Sequence, residues 1–176
     1  IVERGEMWNS ILEILEEKVR EGVEVRVMYD GMCCLMLLPY SYPKTLREKG
    51  IKCKMFSPIR PALSTHQNNR DHRKICVIDG HTAFTGGVNL ADEYINRKVR
   101  FGHWKDTAVM VEGDAAVGFT MMFLQMWDVC SKKPDSDFDY SPYLDTGDYF
   151  HSPELDMDGF SIPFSDSPID GEPVGH

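Results

Sequence analysis

VEVRVMYDGMCCLMLLPYSYPKTLREKGIKCKMF, residues 23–56, carries the reading that decides the fold. Residues 23–30 and 51–56 each alternate apolar with polar side chains, the two-residue period of a half-buried strand. Between them a helix is expected over residues 43–49, with Pro43 near its first turn and Gly50 just past its end. A strand, a helix and a second strand in this order form the unit that joins parallel neighbours. The expected class is α/β, with a mixed, mostly parallel sheet flanked by helices.

Upstream, residues 6–21 have a helical period, with Ile11, Ile14, Leu15 and Val19 on one stripe and Gly22 as a C-terminal cap. Downstream, residues 57–70 are rich in Pro, Ser, Asn and Gln and read as a loop. Residues 73–78 and 82–85 are expected to pair as a hairpin across Asp79-Gly80. A further strand is expected over 104–111 and a largely buried helix over 114–130. Residues 1–133 read as one domain, and residues 134–176 as an acidic, extended tail or linker toward a second domain.

At 176 residues the chain holds one sizeable core. Its longest apolar runs, 32–39 and 115–123, are far short of the roughly 20 residues that span a bilayer. It opens without Met and without a basic start followed by an apolar run, so a piece of a longer protein is expected rather than a secreted one. Five cysteines with no CxxC pair signal neither zinc nor a disulfide framework, and reduced, mostly buried thiols are expected. The net charge of -9 is unevenly placed: eleven of the 28 acidic residues lie beyond Pro134, where there is no Lys or Arg. The first 133 residues therefore carry 17 acidic and 19 basic side chains, a balance that suits an anionic substrate.

The chemistry concentrates in HRKICVIDGHTAFTGGVN, residues 72–89. Side chains two apart on a strand share a face, so His72 and Lys74 present an imidazole and an ammonium together. Gly86 and Gly87 permit close backbone approach, and Asn89 offers an amide where a helix over 90–94 would begin, an end that favours anions. Taken singly, His72 is an ordinary exposed histidine, Asp79-Gly80 a turn, Gly86-Gly87 a bend and Asn89 a helix cap. Their occurrence in one order within eighteen residues is what points to a site.

The pattern His-x-Lys-x4-Asp followed by Gly-Gly-x-Asn resembles the signature of the phospholipase D superfamily, whose fold is an α/β sandwich. Longer phrases, EGVEVRVMYDG, NNRDHRKICVIDG, TGGVNLADEY, FGHWKDTAVMVEGDAA and FSDSPIDGEP, resemble bacterial cardiolipin synthases over nearly the whole chain. The resemblance implies that His72 attacks phosphorus to form a phosphohistidine. Lys74 and Asn89, with the Gly86-Gly87 backbone, would hold the non-bridging oxygens. Asp79 completes the catalytic signature, and Asp106 would bond the imidazole and fix its tautomer. Many family members carry Ser where Gly87 stands. Such sites combine two motif copies; here His103-Trp104-Lys105 imitates a second, but Met110 stands where its acid is required.

By the same resemblance the chain is the first catalytic half of a phosphatidyltransferase. It would convert two phosphatidylglycerol molecules to cardiolipin and glycerol, without cofactor or metal. Its implied partners are phosphatidylglycerol, anionic membrane lipid, and the second half of the same polypeptide or a second copy of this chain. The full-length protein would sit at the bacterial cytoplasmic membrane with this domain on the cytoplasmic side, the piece itself being soluble. Arg60, Arg70, Arg73, Arg97, Lys98 and Arg100 would flank the site and meet anionic head groups, or simply be solvated. Two other readings share the motif: a hydrolase or nuclease of the same superfamily, and an inactive lipid-binding half. An acidic chain without an interleaved aromatic and basic stripe argues against nucleic acid.

Overall fold

Helix α1 (Glu6–Arg20) forms where apolar residues recur three and four apart. The computed structural model describes residues 1–57, 70–100, 102–131, 139–144 and 161–163. In it Trp8, Ile11, Leu12, Leu15 and Val19 pack on the core, and Trp8 is fully enclosed. Ile14, expected on the same stripe, is 56 % exposed because it falls outside the arc those residues define. The first turn of α1 has no side-chain cap of its own. The Asp92 carboxylate reaches it from the far side of the hairpin and accepts from the Glu6 and Met7 amides at 3.0 and 2.9 Å.

Strands β1 (Arg26–Asp30) and β2 (Lys52–Phe56) pair in parallel, from Arg26 opposite Lys52 to Asp30 opposite Phe56. Helix α2 (Tyr42–Glu48), with Pro43 in its first turn, makes the crossover between them. Both helices stop in the same way. Gly22 and Gly50 take φ of +89° and +83°. Their amides bond the Val19 and Arg47 carbonyls, while the amides of Val23 and Ile51 reach back to Lys18 and Leu46. The core between α1, α2 and the parallel pair is Trp8, Cys34, Leu38, Tyr42, Leu46 and Ile51. The buried Trp8 indole donates to the Tyr42 hydroxyl at 2.6 Å.

The α/β class is as expected, with a difference in how the strands divide. Among the described residues parallel pairing is confined to β1–β2 and a single bridge from Val2 to Leu90. Strands β3 (Ile75–Ile78), β4 (Thr82–Gly86) and β5 (Ala108–Glu112) form a separate antiparallel sheet. A short turn can join only antiparallel strands. Asp79 and Gly80 make that turn with φ of +53° and +72°. Helix α3 (Asp114–Val129) lies on one face of this sheet and buries one stripe, Ala116, Thr120, Leu124 and Trp127. It is less enclosed than the largely buried helix expected: these four are buried, most others are half-buried, and Val129 is 72 % exposed.

All five cysteines are free, and fewer are buried than expected: Cys34 and Cys53 only, with Cys76 exposed. Of the expected tail, the described parts are 139–144, with the short helix α4 (Ser141–Leu144), and 161–163. Tyr143 backbone covers Gly80, and Pro163 packs where a side chain at Gly118 would stand. The rest of the tail, and the expected loop beyond Ser57 up to residue 69, lie outside the described residues.

Leu46 is wholly enclosed at 0 % exposure, so Leu46→Ala is expected to cost about 3 kcal/mol of stability. Urea denaturation should show a lower midpoint with unchanged slope, whereas Ile14→Ala should shift stability by no more than about 0.5 kcal/mol.

Candidate active site

The segment that carries His72 and Lys74 joins no ladder among the described residues until Ile75, so the strand expected from residue 73 starts two residues late. A carboxylate replaces the missing pairing. Asp30, at the C-terminal end of β1, is 3 % exposed. Its two oxygens accept from the Cys33 amide at 2.8 Å and the Asp71 amide at 3.0 Å. Asp71 in turn grips Arg73 through Nε and Nη2, each at 2.8 Å, and accepts from the Arg73 amide at 3.1 Å. Alternation along an extended chain then leaves His72 and Lys74 together on the opposite side.

The Lys74 amine lies 3.0 Å from Nδ1 and 2.8 Å from Nε2 of the His72 imidazole, and donates to the His72 carbonyl oxygen at 2.8 Å. His72 is exposed and Lys74 partly buried, so the pair opens on the surface of this chain rather than into an enclosed pocket. Partial burial, then the Lys74 charge, hold the His72 pKa below its ordinary 6.5, against the opposing pull of Asp30 and Asp71. The shift favours the neutral ring. Burial also lowers the pKa of Lys74, while the Asp106 carboxylate pulls it up.

Asp106 does not bond the imidazole as expected. Its carboxylate accepts from the Trp104 indole at 3.0 Å and the Thr107 amide at 2.7 Å. With the Gly87 amide, these bonds hold it below the usual carboxylate range. A Cβ at Gly87 would stand 2.5 Å from that carboxylate, and one at Gly86 2.7 Å from the Thr107 carbonyl. The two glycines thus admit the protein's own 106–107 segment. Trp104 is itself fixed between Asn96, which bonds its amide and carbonyl at 2.6 and 2.9 Å, and the Tyr94 ring, edge-on at 4.5 Å.

Asn89 was expected to present an amide to a phosphate. It is 4 % exposed, and its amide donates to the Tyr94 hydroxyl. The expected helix over 90–94 is a four-residue 3₁₀ turn, Asp92–Ile95, with Asp92 and Glu93 at its start, which is no anion site. Asp79 sits exposed in the hairpin turn, separated from His72 by the length of β3 at about 3.3 Å per residue. Of the flanking cations, Arg73 is held by Asp71, Arg97 by Glu6, Lys98 by Glu3 and Arg100 by Glu93. Arg60 lies outside the described residues.

Asp30, Asp71 and Trp104 escaped the sequence reading. The available signal for Asp30 was its place at the carboxyl end of a parallel strand, where α/β folds gather their sites. For the other two no local pattern existed.

An NMR titration of His72 is expected to give a midpoint below 6.5. Because the folded state then binds fewer protons than the unfolded chain, the contribution of a neutral His72 to stability is present above 6.5 and lost as pH falls through the lowered midpoint. Lys74→Met should raise the midpoint, the burial component remaining.

The family described as "Cardiolipin synthase, PLD-like domain" matches residues 8–127. A Streptococcus mutans protein described only as uncharacterized is 57 % identical over 99 % of this chain and 36 % of its own length. A cardiolipin synthase of Alkalihalophilus pseudofirmus is 43 % identical over 72 % of this chain and 25 % of its own. Cardiolipin synthase 2 of Staphylococcus epidermidis is 35 % identical over 84 % of this chain and 30 % of its own. The chain thus spans about a quarter to a third of the length of these relatives. No solved structure matches it. The family match runs through the same strand–helix–strand unit and hairpin that hold His72 and Lys74, and the chain belongs to the PLD-like cardiolipin synthase family of the phospholipase D superfamily.

Proposed function

We propose that this chain is one motif-bearing half of a phosphatidyltransferase that converts two phosphatidylglycerol molecules to cardiolipin and glycerol. The reading is carried by one observation, the Lys74 amine set against both ring nitrogens of His72, whose pKa is lowered. A neutral imidazole attacks phosphorus and the bond to the glycerol oxygen breaks, leaving the phosphatidyl group on His72. The primary hydroxyl of a second phosphatidylglycerol then attacks, loses its proton, and returns the imidazole. Lys74 counters the charge that develops on the non-bridging oxygens. Asp106 keeps that amine charged, and Asp79 serves through its turn. Asn89 and Gly87 act by shaping the segment around Asp106, and a direct phosphate contact from either needs a local rearrangement.

The departing glycerol oxygen needs a proton, and general acid help is worth about 10²- to 10⁴-fold. A second histidine supplies it, from another motif-bearing half or a second copy of this chain. Strand alternation puts Cys76 and Ile78 on the side of Lys74, opposite α3, with Phe84 and Met110 beside Cys76. All four are exposed, and this apolar sheet face is where the second motif docks. The site works at the inner surface of the bacterial cytoplasmic membrane, among anionic lipids.

Phosphatidylglycerol labelled in its phosphate should transfer acid-labile label to the protein. His72→Ala should abolish it and Lys74→Met should slow it about 10²- to 10³-fold. Asp79→Asn should keep the rate, since Asn also tolerates positive φ. Equal labelling of wild type and His72→Ala would remove the nucleophile. Thin-layer analysis separates cardiolipin from the phosphatidic acid a hydrolase would release.

A further inference from the structure

Residues 31–41, between β1 and α2, contain no charged side chain and no histidine. Such a stretch is expected to hide its apolar groups, and half of it does. Cys34 and Leu38, four apart, are buried in the core at 1 % and 5 % exposure. Successive turns hold the backbone, the amides of Leu37 and Leu38 bonding the Cys34 carbonyl at 3.0 and 2.9 Å. The other half faces out from this fixed frame: Met36 is 91 % exposed, Tyr40 62 % and Leu35 44 %.

The loop begins beside the site. Cys33 and Asp71 hang from the two oxygens of the same Asp30 carboxylate, so two hydrogen bonds separate the loop from the residue that precedes His72. Cations stand around it: Arg4 lies over the Tyr42 ring at 5.5 Å, Lys44 in the first turn of α2 is 76 % exposed with only a loose 3.8 Å pairing to Glu48, and Lys74 stands at the site.

We propose that this loop is a membrane-docking wedge: Leu35, Met36 and Tyr40 enter the boundary between head groups and acyl chains of an anionic phospholipid bilayer and hold His72 at the level of the phosphates. A tip of three side chains is far smaller than the roughly 800 Å² per partner of a stable protein interface, but suffices for lipid entry assisted by charge. Apolar residues with a neighbouring tyrosine and lysine are the composition that settles at a membrane surface. Among the described residues no helix is long and apolar enough to cross a membrane. The proposal rests on the phosphatidyltransferase reading for its purpose, and on the exposed loop for its physics.

The test is co-sedimentation of the full 176-residue chain with vesicles of phosphatidylglycerol and phosphatidylcholine in equal parts. Met36→Glu should lower partitioning by about tenfold or more, the effect of one such side chain on transfer to an apolar phase. Ile14→Glu, on the exposed side of α1, should leave it unchanged. In a Met36→Trp variant, the indole emission added to that of the three native tryptophans, taken as the difference from the parent chain, should shift to shorter wavelength on adding vesicles and be quenched by brominated acyl chains. Unchanged partitioning by Met36→Glu, or an indole that neither shifts nor is quenched, would overturn the proposal. So would an altered oligomeric state with vesicle binding intact, which would assign the loop to a protein contact. Dihexanoyl phosphatidylglycerol, soluble as monomers, separates the two readings. Labelling of His72 from it reports the chemistry without a bilayer, and the indole reports the loop without the chemistry.

Discussion

The buried carboxylate of Asp30 ties together parts of the chain that have no other reason to meet. It ends a parallel strand, where the backbone amides of the following turn are left without partners. By accepting from Cys33 it shapes that turn, and by accepting from Asp71 it draws in a segment forty-one residues further on. A carboxylate at 3 % exposure is costly to bury, and charged hydrogen bonds from amides are what make it tolerable. The run from Asp71 to Lys74 pairs with no strand among the described residues, and this attachment is what positions it.

From that constraint the electrostatics of the site follow. With Asp71 committed to Arg73, the cation nearest His72 is Lys74, and its charge adds to burial in favouring the neutral imidazole. A positive charge beside an imidazole weakens its basicity, and in the proposed reaction the same charge attracts the phosphate. Asp106 balances the arrangement by supporting the ammonium rather than the ring. The Trp104 and Thr107 bonds hold that carboxylate in place, and the absence of side chains at Gly86 and Gly87 lets it come close. The two glycines leave room for the 106–107 segment.

Much of the fold was legible because it is written in local terms. Alternation marked β1 and β2, the three-and-four spacing marked α1, and Pro43 with Gly50 bracketed α2 nearly to the residue. Asp79-Gly80 named its own turn. What went astray was burial: Ile14 and most of α3 are more exposed than their apolar character suggests, since periodicity tells which residues share a face but not what covers it. Asn89 is buried, which its spacing could not tell. Its amide is as suited to a tyrosine hydroxyl as to a phosphate, and only packing chooses between them.

The amino-acid sequence alone therefore determined the α/β class, the strand–turn–strand around the motif, and the pairing of an imidazole with an ammonium two residues away, all consequences of periods and turns a few residues long. The tertiary structure decided how that pair is held and charged. Asp30 to Asp71, Asp92 to the start of α1, and Asp106 to Trp104 and Gly87 are contacts between side chains and backbone groups brought together by folding. No spacing rule encodes them, because a carboxylate accepts from whichever amide the packed core delivers to it.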